Sequence, residues 1–242
     1  MTDIALEGVD FPTMNKFRAE YLAAFEFDVR TIVDIGVYRG TLQLYRAFPD
    51  AELILIDPLA EARVVAEKVA RYRDVKFVEM GVGDREMAID LHVPPGENRS
   101  GSSLLRRNVH IRRKRELIRR EVAVRPLDKI MAEADLPPPY GVKIDTEGYE
   151  RFVMAGAQET LRQTRFVIIE VTLQDLYGQR SLPSEIIADL AAVDFELFDV
   201  LNVDRKNNIY LDCIFLKKDD PRFQPGYSND ALVEAEADQT PA

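Results

Sequence analysis

Three short apolar segments in the first third of this 242-residue chain constrain its fold most strongly. They are TIVDIG (31–36), ELILID (52–57) and VKFVEMGVG (75–83). Residues 40–48 and 58–72, which separate them, carry apolar side chains at helical spacing. Apolar strands that alternate with helices form a parallel sheet with both faces covered. The pattern therefore predicts a doubly wound α/β fold.

The rest of the chain continues this alternation, with a less regular middle. Further strands are expected at 87–93, 121–124, 140–145, 165–171, 195–201 and 208–218, and helices at 14–27, 108–120, 126–134, 147–163 and 182–193. The short polar link NVDRKN joins the last two strands, which predicts an antiparallel hairpin. We expect an N-terminal helical extension (1–28), one domain (29–218) with an insertion at about 94–125, and an acidic flexible tail (219–242).

The composition favours a cytoplasmic enzyme or binding protein. The single cysteine, Cys213, excludes a disulfide framework within the chain and a cysteine-rich zinc site. No apolar stretch approaches the roughly 18 residues of a membrane span, and the N-terminus does not resemble a secretory signal. The net charge of -10 argues against nucleic acid as a partner.

A basic segment stands out in this acidic chain. Residues 106–125 contain nine basic and two acidic residues. One interpretation is a solvated helix face, supported by Arg112 and Glu116 at i, i+4. Another is a lid that recognises an acidic acceptor through Ser102, Ser103, His110, Arg112 and Arg113. RNA and the acidic surface of a partner chain are further alternatives.

The ends of the first two strands predict a binding site for an adenosine ligand. Gly36 lets the backbone turn sharply after the first strand, and Gly40 lets a helix pack closely. The Gly-x-x-x-Gly spacing lacks the glycine run that cradles a pyrophosphate, so a ligand without phosphates fits better than NAD. Asp57, at the end of the second strand, is placed to accept hydrogen bonds from ribose hydroxyls.

Two more strand ends carry acids. Asp84 in GVGD (81–84) is a candidate contact for an adenine amino group, although an Asx turn would explain it equally well. Asp145 in KIDTEGYE (143–150) should project into the same crevice as Asp34, where it suits a ligand ammonium group or a substrate hydroxyl. Glu147 and Glu150 begin the next helix, and at least one of them has an alternative role as a structural cap.

Six motifs in this order resemble the FkbM family of methyltransferases. They are VDIGVYRGTLQLY, LILIDP, GVGD, SGSSL, RPLDKI and VKIDTEGYERFVMAGAQETL, and together they span roughly residues 30–216. The chain departs from the family pattern at Val37-Tyr38, where Ala-Asn is common, and at Asp57, where glutamate is usual.

The resemblance implies a class I, Rossmann-like fold with a mostly parallel seven-stranded sheet, and S-adenosylmethionine-dependent O-methylation, often of a sugar hydroxyl. It gives S-adenosylhomocysteine as the product, and the acceptor would be a small molecule or glycan. The residues expected to bind the cofactor are Asp34, Gly36, Val37, Tyr38, Gly40, Asp57, Pro58, Val82, Gly83, Asp84 and Asp145.

Methyl transfer to oxygen needs an aligned acceptor and a group that takes its proton. Asp145 is the first candidate for this base, and Glu170, at the end of VIIE, is the second; Glu147 lies at the same end of the site. His110 is a further candidate, whereas His92 is interpreted as structural. A divalent metal shared by Asp145 and Glu170 is a less favoured alternative, since hard cations prefer oxygen ligands.

Two other functions compete with the methyltransferase. A nicotinamide-dependent oxidoreductase needs a phosphate-cradling turn that residues 34–40 do not offer. A non-catalytic binding or scaffolding protein could retain the fold without turning over an acceptor. The sequence also leaves a homo-oligomer open.

Overall fold

The computed structural model describes residues 15–106, 117–178, 181–203 and 210–237. The strands in these ranges are β1 (Thr31–Ile35), β2 (Glu52–Ile56), β3 (Val75–Val78), β4 (Gly81–Val82), β5 (Met87–Val93), β6 (Ile118–Arg125), β7 (Tyr140–Ile144), β8 (Thr164–Thr172), β9 (Phe195–Val203) and β10 (Tyr210–Lys217). The α-helices are α1 (Ala19–Ala23), α2 (Leu42–Ala47), α3 (Arg63–Val69), α4 (Leu127–Ala134), α5 (Glu150–Ala155), α6 (Gln158–Arg162), α7 (Pro183–Ala191) and α8 (Asp230–Ala237).

The main sheet has seven strands in the order β3-β2-β1-β7-β8-β10-β9. Strands β1, β2, β3, β7 and β8 are parallel, whereas β10 runs antiparallel to both β8 and β9. This confirms the predicted α/β fold with its C-terminal antiparallel hairpin. The strand order reverses at β1, which lies between β2 and β7, and ligands of open parallel sheets bind at such a switch point.

Both faces of this sheet are covered by helices. Helices α1, α2, α3 and α8 pack on one face through apolar side chains such as Leu22 and Leu44. Helices α4 to α7 pack on the other face through side chains such as Leu161 and Leu190. All five residues of β1 and of β7 are buried, as the apolar runs predicted. Within the described ranges, every helix is too short or too polar to cross a lipid bilayer.

A second sheet of three strands, β4-β6-β5, lies beside the first and was not predicted. The segment expected to be one strand over 75–83 divides, because the chain leaves the main sheet after β3 and pairs with β6 through Gly81 and Val82. The described end of the helix expected over 108–120 belongs to strand β6, which pairs antiparallel with β5. Leu91, Leu104 and Val124 are buried together beneath this sheet.

The two ends of the described chain pack against each other. Arg18, just before α1, donates a hydrogen bond of 2.7 Å to the carbonyl of Ala235 in α8. Leu232 is buried, and Arg222 donates to the carbonyl of Phe25. Between Asp219 and Ala237, the segment expected to be a flexible tail therefore contacts the N-terminal region through one buried apolar side chain and part-buried hydrogen bonds, while most of its residues are exposed.

Candidate active site

A pocket of about 700 Å³, counted with its open mouth, lies at the carboxyl ends of β1, β2 and β7. Eight of the residues predicted from the sequence line it: Gly36, Tyr38, Asp57, Pro58, Val82, Ser102, Asp145 and Glu147. The strand ends that were expected to face one hollow therefore do meet around it.

Gly36 forms the turn between β1 and the pocket. Its φ is +82°, and a Cβ at this position would lie 1.7 Å from the carbonyl oxygen of Asp145. Two backbone hydrogen bonds fix this close approach, from Gly36 N to the Ile56 oxygen (2.9 Å) and from Asp145 N to the Ile35 oxygen (3.0 Å). Only glycine combines this φ with this crossing of two chain segments.

The carboxylate of Asp57 is fixed in the pocket wall. Asp57 is 3% exposed, and its two oxygens accept hydrogen bonds from the backbone N–H of Tyr38 (2.8 Å) and of Leu59 (2.7 Å). Burial raises the pKa of Asp57 to about 6, although these N–H donors act in the opposite direction. The carboxylate is therefore ionised at neutral pH and accepts protons at mildly acidic pH.

Three residues predicted to bind the cofactor pack elsewhere. Val37 is buried with the side chains of α2 and α3. Gly40 lies against α3, since a Cβ there would come within 2.6 Å of Val65 Cγ1. Asp34 is fully buried and accepts a hydrogen bond from the hydroxyl of Tyr45. Val37 and Gly40 therefore fix the turn, and Asp34 lies beneath it.

Gly83 and Asp84 also lie outside the pocket lining. The backbone N–H of Gly83 donates to the carbonyl of Arg125 (3.1 Å), which extends the pairing of β4 with β6. Asp84 lies 3.5 Å from the guanidinium of Arg85. The departure of the chain into the second sheet explains both positions, and Met80, Gly81 and Val82 line the pocket instead.

The segment after β7 brings acids together. Glu150 is buried at the start of α5, and its Oε1 accepts hydrogen bonds from Thr146 N (3.1 Å) and Gly148 N (2.9 Å). Glu150 therefore has the structural capping role that the sequence allowed for Glu147 or Glu150. Glu147 faces the pocket, with a φ of 54°. The hydroxyl of Tyr177 lies 3.4 Å from Glu147 Oε2.

Glu170 lies next to Asp145 at the same edge of the sheet. Strands β7 and β8 are in register at Ile144 and Ile169, so the residues that follow them are neighbours. Asp212 on β10 lies opposite Glu170. Burial and the nearby carboxylates, first that of Asp145, raise the pKa of Glu170 well above its ordinary value. Glu170 therefore holds a proton more readily than an ordinary carboxylate, which is a property of general bases.

A loop over residues 94–105 closes one side of the pocket. The hydroxyl of Tyr38 donates to Asn98 Oδ1 (3.0 Å) and accepts from the backbone N–H of Arg99 (2.8 Å). The buried hydroxyl of Ser103 donates to the carbonyl of Glu147 (2.7 Å). The sequence missed the lining residues Leu91, Arg99, Ser100, Gly101 and Leu104, although SGSSL was among the family motifs.

The basic segment is paired with acids where the structure describes it. Arg120 lies 2.9 Å from Glu61 Oε1, and Arg99 lies 3.6 Å from the same oxygen. Arg119 lies 3.8 Å from Asp90. Arg119 and Arg120 lie on strand β6, so the solvated helix face expected here is wrong for these residues; they lie on a strand, where they pair with acids. His110, Arg112 and Arg113 fall outside the described residues.

His92 pairs by both backbone hydrogen bonds with Ser103, which fits a structural role in β5. The part of the chain that the structure describes contains no group of three or more His, Cys, Asp or Glu side chains arranged to hold a metal ion.

Two comparisons with known proteins point to one family. The model of the methyltransferase FkbM domain matches residues 34–197. A 2-O-methyltransferase named NoeI from Sinorhizobium fredii is 30% identical over 204 residues, which cover 79% of this chain and 83% of that protein.

A crystal structure of a methyltransferase FkbM from Methylobacillus flagellatus KT has a similar fold. It matches with a TM-score of 0.51 at 14% identity, over 78% of this chain and 44% of that one, so this chain spans less than half of that structure. The family model covers well over half of the present chain, including Asp57 and Asp145. The resemblance seen in the sequence is confirmed: the chain belongs to the FkbM family of methyltransferases.

Proposed function

We propose that this chain is an S-adenosylmethionine-dependent O-methyltransferase that acts on a sugar hydroxyl of a glycan, nucleotide sugar or secondary metabolite. The buried carboxylate of Asp57 is the observation that carries the proposal. A carboxylate accepts about four hydrogen bonds, and the N–H groups of Tyr38 and Leu59 supply two of them. The remaining capacity matches the two hydroxyls of a ribose.

The rest of the pocket fits the same cofactor. Gly36 presents bare backbone where any side chain would collide with Asp145. Ile35, Leu91 and Leu104 supply apolar walls suited to an adenine ring. The negative charge of Asp145, at the β7 side of the pocket, suits the ammonium group of the cofactor's amino-acid part.

Two observations support oxygen as the acceptor atom and a polar acceptor. The relative from Sinorhizobium fredii is named a 2-O-methyltransferase. The loop that closes the pocket adds Ser102 and Arg99, two residues with hydrogen-bonding side chains, to its lining. Side chains of these types bind the oxygens of sugars.

The bound cofactor would supply a methyl group already activated on a positively charged sulfur. The protein must then position the acceptor and take the proton of its hydroxyl. Asp145 was the first candidate for this base, but its carboxylate forms an ion pair of 2.9 Å with Lys143. Glu170 has a raised pKa and lies beside it. We therefore assign the proton to the carboxylate of Glu170 and the cofactor ammonium to Asp145.

Titration calorimetry with S-adenosylmethionine and S-adenosylhomocysteine tests the proposal. We expect saturable binding by the unmodified chain and at least tenfold weaker binding after Asp57→Ala, since charge-assisted hydrogen bonds contribute about 1.5–3 kcal/mol each. The control is Asp74→Ala, which removes an exposed acid outside the pocket lining and should leave affinity unchanged.

A transfer assay separates an enzyme from a binding protein. Sugar nucleotides, glycans and small polyols would be incubated with labelled S-adenosylmethionine. Labelled product is the expected result. Absence of heat with either cofactor form contradicts the proposal, and binding without transfer across the screen favours a non-catalytic cofactor-binding protein.

A further inference from the structure

One buried lysine lies in the middle of the otherwise apolar strand β7. Lys143 is 5% exposed. Its ammonium lies 2.9 Å from Asp145 Oδ2 and 3.9 Å from Asp34 Oδ1. Buried lysines occur almost only where they are paired. Lys143 is thus the link between the pocket residue Asp145 and the fully buried Asp34.

The core side of this link is itself fixed. The register of β1 and β7 places Asp34 opposite Lys143. The hydroxyl of Tyr45 on α2 donates to Asp34 Oδ2, and Asp34 Oδ1 has no hydrogen-bond partner. These side-chain contacts therefore run from Tyr45 in the core through Asp34 and Lys143 to Asp145 at the pocket, with one cation between two carboxylates.

The surrounding charge explains why a cation is needed here. Glu170 and Asp212 lie beside Asp145 at the same edge of the sheet. Burial lowers the pKa of Lys143, but the carboxylates of Asp145 and Asp34 outweigh this effect and raise it. Lys143 therefore stays positively charged among these acids.

We propose that Lys143 is a positioning residue, which holds one oxygen of Asp145 so that the other faces the amino-acid part of the cofactor. The proposal rests on the proposed function, because it needs the cofactor in the adjoining pocket. Lys143 acts through Asp145 and itself lies beneath the pocket lining. Its removal should therefore weaken the contact with the cofactor's amino group and leave the adenosine contacts intact.

Two probes separate these contacts. S-adenosylhomocysteine carries the amino-acid part, whereas 5′-methylthioadenosine has the same thioether-linked adenosine without it. Lys143→Met alone would leave the buried carboxylate of Asp34 and the half-buried carboxylate of Asp145 without their cation, which is destabilising. The test variant is therefore Asp34→Asn with Lys143→Met, which removes one charge of each sign. Lys143→Arg keeps the cation, and Tyr45→Phe loosens Asp34 while leaving the pair of Lys143 and Asp145.

Dissociation constants of both probes would be measured by calorimetry on variants shown by circular dichroism to be folded. We expect the double variant to bind S-adenosylhomocysteine at least tenfold more weakly than the unmodified chain, and 5′-methylthioadenosine within about twofold of it. Tyr45→Phe should bind both probes with the affinity of the unmodified chain. The single variant Lys143→Arg should keep most of the affinity for S-adenosylhomocysteine that the double variant loses.

Equal weakening for both probes, or unchanged binding of both, overturns the positioning role. If the double variant does not fold, Lys143→Arg decides: a loss confined to S-adenosylhomocysteine supports the role, and parallel loss for both probes, or no loss for either, contradicts it. If the unmodified chain binds neither probe, the proposed function is overturned. That result differs from failure of the positioning role, in which the unmodified chain binds both probes and the variant changes both affinities equally.

Discussion

Replacing Gly36 with alanine should destabilise the fold more than the same change at another left-handed glycine. Gly226 is the matched control, because its φ of +87° is close to the +82° of Gly36 and a Cβ there would have nothing within 4 Å. Both substitutions force alanine into a left-handed conformation, at a cost of about 1–2 kcal/mol. The difference between the two variants isolates the close approach of the chain at Gly36.

The size of that difference follows from the contact. The added Cβ would lie 1.7 Å from the Asp145 carbonyl oxygen, whereas ordinary carbon–oxygen contacts begin at about 3.3 Å. The carbonyl must move by roughly 1.6 Å, and overpacking of this kind costs about 1–3 kcal/mol. Loss of the adjoining hydrogen bonds at Gly36 and Asp145 adds about 1 kcal/mol each. We therefore expect Gly36→Ala to lose about 3–5 kcal/mol more than Gly226→Ala.

Urea unfolding followed by circular dichroism measures this difference through the midpoints at constant slope. In thermal unfolding, about 2–4 °C per kcal/mol is expected for a chain of this size. Equal stability of the two alanine variants would contradict this prediction, because it would show that Gly36, after β1, and Asp145, after β7, do not approach each other as closely as described.

Three further predictions concern the pocket. Glu170→Gln should lower turnover by about 10²–10⁴-fold while leaving the affinity for S-adenosylhomocysteine within about threefold, and in the unmodified enzyme kcat should rise with pH as the carboxylate ionises. Ser103→Ala removes the donor to Glu147 and the acceptor for Leu105 N, so amide exchange of Leu105 should quicken, which mass spectrometry can follow. Because burial raises the pKa of Asp57 to about 6, cofactor affinity should fall as the pH drops below that value.

Each of these has a contradicting result. Full turnover of Glu170→Gln would show that another group accepts the proton of the acceptor hydroxyl. Unchanged amide exchange at Leu105 in Ser103→Ala would show that the Ser103 hydroxyl does not fix the loop to the segment after β7. An affinity that is constant between pH 5 and 8 shows that the ionised carboxylate of Asp57 does not bind the cofactor.

The strand ends could be predicted from sequence because their signals are local. Buried parallel strands are continuous apolar runs, so Thr31–Ile35 and Tyr140–Ile144 were located closely. Gly36 and Asp57 follow such runs directly, and the edge at which parallel strands end is shared. Their convergence on one pocket therefore follows from the strand pattern alone.

The second sheet and the loop over the pocket depend on distant partners. Gly81 and Val82 form a strand only because β6 lies beside them, more than forty positions later. The arginine-rich start of β6 favours a helix by local pattern, yet its alternating Val122 and Val124 pack into the buried cluster. Likewise, no local signal joins the hydroxyl of Tyr38 to Asn98.

Lys143 illustrates a signal that was present but not used. A single charged residue within an otherwise apolar strand needs a buried partner. The partners, Asp34 and Asp145, were both singled out by sequence, but the pairing depends on the register of β1 against β7. Sequence thus identified the charges and the structure connects them.

A crystal structure of the chain soaked with S-adenosylhomocysteine tests the central claim most directly. We expect density in the pocket at the ends of β1 and β2, with both ribose hydroxyls within about 3.2 Å of the Asp57 carboxylate oxygens. A ligand bound elsewhere, or a ribose that makes no contact with Asp57, would contradict it.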